Sequence, residues 1–88
     1  MATVSATIRV KVLFFGSIRE LCGVSEECQQ IAEGATLDDL FGAYGARFPK
    51  LFSFRDSLVA ARNQEFAGWD MKLRDGDEVA FLPPVSGG

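Results

Sequence analysis

The sequence has no histidine and only two cysteines, Cys22 and Cys28, among its 88 residues. Histidine and cysteine are the usual zinc ligands, so a zinc site built from them is not expected. The absence of histidine also removes the side chain that most often acts as a general base. No glycine-rich phosphate-binding loop precedes a helix. We therefore expect neither a metal site nor a complete catalytic centre on this chain.

Long apolar runs and clusters of positive charge are also missing. No segment approaches the roughly 20 apolar residues that a membrane-spanning helix needs, and the start "MATVSATIRV" lacks a signal-peptide pattern. The nine basic residues are scattered, and the net charge is −3. We expect no membrane or nucleic-acid partner, a cytoplasmic location with reduced thiols, and an acidic surface suited to a basic protein partner.

Two acidic clusters have structural explanations. Asp38 and Asp39 fit the first turn of a helix, where negative charge is favoured, and the Asp75-x-Asp77-Glu78 cluster fits a turn. Neither cluster is expected to bind a metal.

The hydrophobic residues, 48% of the chain and including eight Phe, suffice for one small domain. The segment "TIRVKVLFF" predicts a strand, because alternate positions are apolar from Ile8 to Phe14. Leu13 and Phe15 are apolar on the face that should be polar. Ser17, with Glu20 three residues later, predicts a capped short helix that ends at Gly23.

The main helix is predicted to begin at Thr36 and to end at Pro49. Its buried stripe would comprise Leu37, Leu40, Phe41, Tyr44 and Phe48. Further strands are predicted in "VSEECQQIA", antiparallel to the first strand, in "LVAAR" and in "EVAFL". A possible short strand lies near the end of "NQEFAGWDMKL", and Asp75-Gly76 supplies a tight bend.

This order of elements predicts a two-layer α+β domain. It matches the ubiquitin-like β-grasp fold, a mixed sheet of four to five strands with one main helix packed on it. Residues 1–7 would be a lead-in, residues 8–82 the domain, and residues 83–88 an extended C-terminal tail.

The tail, within "FLPPVSGG", is the strongest functional signal. Pro83 and Pro84 favour an extended chain that leaves the last strand and continues through Val85 and Ser86. Gly87 and Gly88 carry no Cβ, so they can pass a narrow channel and leave a terminal carboxylate accessible. We expect this carboxylate to be used chemically. Adenylation would make Gly88 open to a sulfur donor, giving a thiocarboxylate, or to an amine, giving attachment to a lysine.

The stretches "KVLFFGSIREL" and "DGDEVAFLPPVSGG" resemble the small, sulfur-carrying subunits of molybdopterin synthase. The resemblance implies that an E1-like enzyme uses ATP to adenylate Gly88 and then installs sulfur there. It implies that the tail inserts into a large catalytic subunit, where a cyclic pyranopterin precursor becomes the dithiolene of molybdopterin. It further implies a heterotetramer of two large and two small subunits. The small subunit would bind no cofactor and would not be an enzyme on its own.

Other functions stay open at this point. They are a sulfur carrier for another pathway, such as thiazole formation, a ubiquitin-like protein modifier, and a β-grasp interaction module with an inert tail. We further expect Phe15, Phe66 and Leu82 to form an exposed patch that docks the partners. The alternative is that Phe15 and Leu82 fill a second, minor core under a loop.

Overall fold

The structure, a computed structural model, describes residues 6–83. Its elements are β1 (Thr7–Phe14), α1 (Gly16–Cys22), β2 (Glu26–Ala32), α2 (Leu37–Arg47), a 3-10 helix (Pro49–Phe54), β3 (Val59–Arg62), β4 (Glu65–Ala67) and β5 (Glu78–Leu82). Of the predicted lead-in, residues 1–5 lie outside the described range.

The strands form one mixed sheet in the order β2-β1-β5-β3-β4. β1 and β5 pair in parallel at its centre, and the other neighbours pair antiparallel. The mixed sheet and its main helix confirm the predicted α+β fold.

The core lies between one face of the sheet and the helices. The alternating residues of β1 from Ile8 to Phe14 are buried, as are Val79 and Phe81 of β5. On α2, Leu37, Leu40, Phe41 and Tyr44 are buried, and Phe48, which directly follows the helix, is partly buried; this confirms the predicted stripe. Each fully buried large side chain stabilises the fold by about 1.5–3 kcal/mol.

The predicted start of the main helix is confirmed, but that of the short helix is wrong. The Thr36 side chain accepts a hydrogen bond from the Asp39 amide and the Asp39 carboxylate accepts one from the Thr36 amide, a complete capping box. In α1 the N-cap is Phe15, without a side-chain hydrogen bond, so Ser17 does not cap the helix. The end of α1 at Gly23, in the left-handed conformation, is as predicted.

Three other features differ from expectation. The short strand is Glu65–Ala67, whereas Lys72 makes only an isolated bridge with Thr36. Pro49 ends α2 but also starts the 3-10 helix, because proline suits the first position of a helix. Trp69, which has no expected role, stacks against Phe81 with ring centroids 6.2 Å apart.

Candidate docking surface and tail attachment

The face of the sheet opposite the core carries a row of apolar residues. Leu13 pairs with Ala80, Ala80 with Ala61, and Ala61 with Phe66, so the row crosses β1, β5, β3 and β4. Directly paired residues project from the same face of a sheet. The two alanines are short, and the larger Leu13 and Phe66 stand at the ends. The row therefore forms a shallow depression with an apolar floor.

We call this depression, of about 330 Å³, the docking surface; it is lined by Leu13, Phe15, Ala61, Gln64, Phe66, Glu78, Ala80 and Leu82. The structure thus brings together Phe15, Phe66 and Leu82, the three residues predicted to dock partners. Phe15 is 43% exposed and Phe66 is 81% exposed. Such exposure does not fit a minor core filled by Phe15, and large exposed apolar side chains grouped together are typical of interaction sites.

The β3–β4 hairpin holds Phe66 in place. Its two-residue turn has positive φ at Asn63 (52°) and Gln64 (70°), as in the turns that match strand twist. Asn63 accepts a hydrogen bond from the Glu78 amide at 2.9 Å and donates one to Asp77 at 3.0 Å. The hairpin is thereby fastened to the start of β5, next to the docking surface.

The carboxylates near β5 are occupied by structural contacts. Asp77 is buried and accepts a hydrogen bond of 2.8 Å from the Arg74 amide, and its carboxylate lies 3.7 Å from Arg62. Asp75 accepts a hydrogen bond of 2.8 Å from the Arg9 amide. Among residues 6–83 no group of three or more possible ligands is placed to hold a metal ion. The turn interpretation of this cluster agrees with these contacts.

Glu27 of β2, Tyr44 of α2 and Cys22 of α1 have shifted pKa values. The Arg47 guanidinium, which donates to Glu27 at 2.7 Å, is the main cause that lowers the pKa of Glu27 to about 2. Burial, and then the hydrogen bond to Glu27, raises the pKa of Tyr44 above its usual value. Burial also raises the pKa of the Cys22 thiol. Glu27, Tyr44 and Arg47 join β2 to α2, and Cys22 lies on α1; none of these groups lines the docking surface.

A larger depression of about 520 Å³ lies over the beginning of β1. Arg9, Lys11, Gln30 and Asp75 are among its lining residues. It lacks the exposed aromatic side chains of the docking surface, and it lies at the end of β1 away from Phe14. We therefore do not assign partner docking to it.

The tail begins at the edge of the docking surface. β5 runs between β1 and β3, and Pro83 directly follows Leu82, which lines that surface. The other predicted tail residues, Pro84, Val85, Ser86, Gly87 and Gly88, lie outside the described residues. Within the described part of the chain, no helix has the length and apolar character needed to cross a membrane.

Comparison with known proteins gives consistent matches over almost the whole chain. The ThiS family model matches residues 12–88. A molybdopterin synthase sulfur carrier subunit from Chlamydomonas reinhardtii is 42% identical over 83 residues, which cover 92% of this chain and 100% of that protein. A putative molybdopterin converting factor subunit 1 from Pyrococcus furiosus has a TM-score of 0.81 and 35% identity, covering 89% of this chain and 99% of that one.

Two further structures bear on assembly and on fold. A complex of subunits 1 and 2 of the molybdopterin-converting factor from Helicobacter pylori 26695 contains a chain that is 30% identical, with a TM-score of 0.61, covering 92% of this chain and 100% of that one. A ubiquitin from Caldiarchaeum subterraneum is 16% identical, with a TM-score of 0.62, covering 94% and 100% of the two chains. This last similarity concerns the fold alone, which is ubiquitin-like.

Proposed function

This chain belongs to the ThiS family, with molybdopterin synthase sulfur carrier subunits as its relatives, and on that premise we propose that it carries sulfur on the carboxylate of Gly88. The family match includes the Pro-Pro-Val-Ser-Gly-Gly segment, residues 83–88. The observation that carries the proposal is the position of Pro83, which follows the central strand β5 directly beside an exposed apolar surface.

Loading requires activation, because a free carboxylate is a poor electrophile. In the proposed first step, the Gly88 carboxylate attacks the α-phosphorus of ATP and pyrophosphate leaves, which gives an acyl-adenylate. Hydrosulfide, or an equivalent nucleophile that delivers sulfur at the oxidation level of sulfide, then attacks the acyl carbon. The new carbon–sulfur bond forms as the carbon–oxygen bond to AMP breaks, and a thiocarboxylate results. An E1-like enzyme would supply the ATP site, so this chain needs no bound cofactor of its own.

Delivery would take place in the large subunit of the synthase, which we propose holds the active site. The thiocarboxylate sulfur attacks an oxygen-bearing carbon of the cyclic pyranopterin precursor. The new carbon–sulfur bond forms as that carbon's bond to oxygen breaks, the oxygen takes up a proton, and the pterin is linked to Gly88 as a thioester. Water then cleaves the acyl–sulfur bond, so the sulfur stays on the pterin and the Gly88 carboxylate is regenerated. Two such transfers supply both sulfurs of the dithiolene. On this account the small subunit is a sulfur donor and not a catalyst.

The docking surface offers the binding free energy that insertion of the tail needs. Fixing the backbone of one tail residue costs about 1–2 kcal/mol in conformational entropy. Burying each large side chain of this surface returns roughly 1.5–3 kcal/mol. We propose that Phe15, Phe66 and Leu82 make these contacts both with the large subunit and with the activating enzyme. In the synthase, two small and two large subunits would assemble.

The chemistry of loading suits a cytoplasmic location. Adenylation consumes ATP, so we propose that the protein works in the cytoplasm, where ATP is available.

A single-turnover assay tests this function. The thiocarboxylated chain is mixed with the large subunit and the cyclic pyranopterin precursor, and dithiolene formation is followed. We expect product from the full chain and none from a chain lacking Gly88, whose fold should be unchanged by circular dichroism. Product formation by the shortened chain would refute the proposal, and isopeptide adducts on lysines would favour a protein modifier instead.

A further inference from the structure

Two parallel strands end side by side where the tail begins. β1 and β5 pair as far as Phe14 and Phe81, and Gly16 and Pro83 each follow two residues later along the chain. β1 turns into α1 at Gly16, which has φ of +56°, and β5 continues into Pro83. A positive φ favours glycine, but the space around Gly16 gives a second reason for that residue.

The ring of Pro83 occupies the place where a side chain at position 16 would lie. A Cβ added to Gly16 would be 2.9 Å from Cγ of Pro83 and 3.6 Å from its Cδ. Non-bonded carbon atoms have their optimal separation at about 3.5–4.0 Å, so the closer contact would be repulsive. The proline ring is rigid and cannot rotate away as a flexible side chain does. The missing side chain at Gly16 therefore admits Pro83.

The residues next to Gly16 in the chain are held in place by burial and by hydrogen bonds. Phe14 and Ile18, on either side of the turn, are 1% and 0% exposed. The carbonyl of Phe15 accepts hydrogen bonds from the amides of Ile18 and Arg19, which fixes the first turn of α1. On the other strand, Phe81 is 0% exposed. Pro83 lies beyond the last strand pairing, so a clash would displace Pro83 more readily than Gly16.

We propose that Gly16 is a positioning residue that sets the direction in which the C-terminal tail leaves β5. This inference rests on the proposed sulfur-carrier function. Phe15, which lines the docking surface, is adjacent to Gly16, so one turn determines both where the partner docks and where the tail starts. Five residues follow Pro83, and each can add up to about 3.5 Å of reach. A small change of direction at Pro83 would therefore move Gly88 by a larger distance.

The direct test compares Gly16→Asn with Gly23→Asn. Asparagine tolerates the left-handed conformation better than most residues, so the substitutions mainly test the space around each Cα. Gly23 is the matched control, because it has φ of +77° and nothing lies within 4 Å of an added Cβ. With the large subunit, we expect both variants to keep the wild-type KM for the thiocarboxylated chain. The kcat of sulfur transfer should fall roughly ten- to a hundredfold only for Gly16→Asn.

Each asparagine variant is then combined with Pro83→Ala, and the same kinetics are measured. Alanine lacks the Cγ and Cδ atoms that would clash. We expect Gly16→Asn to have no more effect than Gly23→Asn in this background. An equal loss of kcat with and without the proline ring, or equal kcat for the two asparagine variants, would overturn the inference. The single variant Gly16→Asn could fail to fold. In that case, folding of the double variant with Pro83→Ala supports the contact, and failure of both the single and the double variant to fold refutes it. Absence of transfer by the wild-type chain would instead refute the proposed function.

Discussion

The hydroxyl of Tyr44 on α2 donates a hydrogen bond of 2.9 Å to the carboxylate of Glu27 on β2. Arg47 donates to the same carboxylate at 2.7 Å, one helical turn further along α2. Since β2 is an edge strand, these bonds fasten the helix layer to the border of the sheet. The hydrogen bond from Arg47 is the main cause that lowers the pKa of Glu27 from 4.5 to about 2, and those from Gln29 and Tyr44 lower it further.

The shifted pKa of Glu27 predicts how stability depends on pH. When folding lowers the pKa of a carboxyl group, its ionised form stabilises the folded state. This stabilisation is complete at pH values above the pKa of the unfolded state, and it is lost as the pH falls through the pKa of the folded state. Glu27→Gln should lower the melting temperature near neutral pH. The difference from wild type should shrink between pH 4.5 and about 2. Thermal unfolding across this range measures it, and a difference independent of pH would contradict the prediction.

Tyr44→Phe is the companion variant, because it removes one hydrogen bond and keeps the Glu27 charge. We expect a loss of about 1 kcal/mol in the free energy of unfolding at neutral pH. Denaturant titration gives this value, and wild-type stability would show that the hydroxyl contributes nothing.

Phe66 provides the cleanest test of partner docking, since its side chain is 81% exposed. Phe66→Asp should leave the free energy of unfolding within about 0.5 kcal/mol of wild type, as for other surface changes. Burying its charge at the interface should weaken binding to the large subunit at least tenfold, measured by calorimetry. Ala43→Asp, at an exposed position of α2, adds the same charge elsewhere and should bind like wild type. Equal affinities for the two variants would refute the assigned docking surface.

The two glycines of α2 should respond differently to alanine. Nothing lies within 4 Å of a Cβ at Gly42, so Gly42→Ala should stabilise the protein by up to about 1 kcal/mol through helix propensity. A Cβ at Gly45 would overlap the ring of Phe52, so Gly45→Ala should destabilise by about 1 kcal/mol or more. Denaturant unfolding compares them, and an equal gain in stability would show that Phe52 yields without cost.

Asp77 is predicted to serve the fold and not the sulfur chemistry. Asp77→Ala leaves the Arg74 amide and the Asn63 side chain without their acceptor, which should cost about 1–3 kcal/mol of stability. Loading of Gly88 with sulfur should be unchanged at a temperature where the variant is folded. Asp56→Ala, at an exposed position, is the control and should be neutral in both measurements. Selective loss of loading by folded Asp77→Ala would contradict this prediction.

The fold was predictable where local patterns determine it. The alternation of apolar residues in "TIRVKVLFF" predicts β1, and Thr36 as N-cap with the apolar stripe predicts α2. The start of α1 was not predictable in this way. There the chain ends β1, adopts a positive φ at Gly16 and passes beside Pro83, so contacts distant in sequence override the local Ser17 signal. The role of Trp69 similarly depends on its stacking with Phe81.

The docking surface was predictable in part. Phe15 and Leu82 are apolar at positions where strand alternation does not place them in the core, and that conflict was visible in the sequence. The floor of the surface was not visible, because it depends on the register that aligns Ala61 with Ala80. The contact between Gly16 and Pro83 likewise depends on the parallel pairing of β1 with β5.

The central claim is that Gly88 carries sulfur, and intact mass spectrometry tests it most directly. The chain is incubated with an E1-like enzyme, ATP and a sulfur source, and fragmentation then locates any change. We predict that the mass rises by the difference between one sulfur and one oxygen atom, with the change at Gly88. An unaltered mass with an enzyme that loads a related carrier, or a change located elsewhere in the chain, would contradict the account.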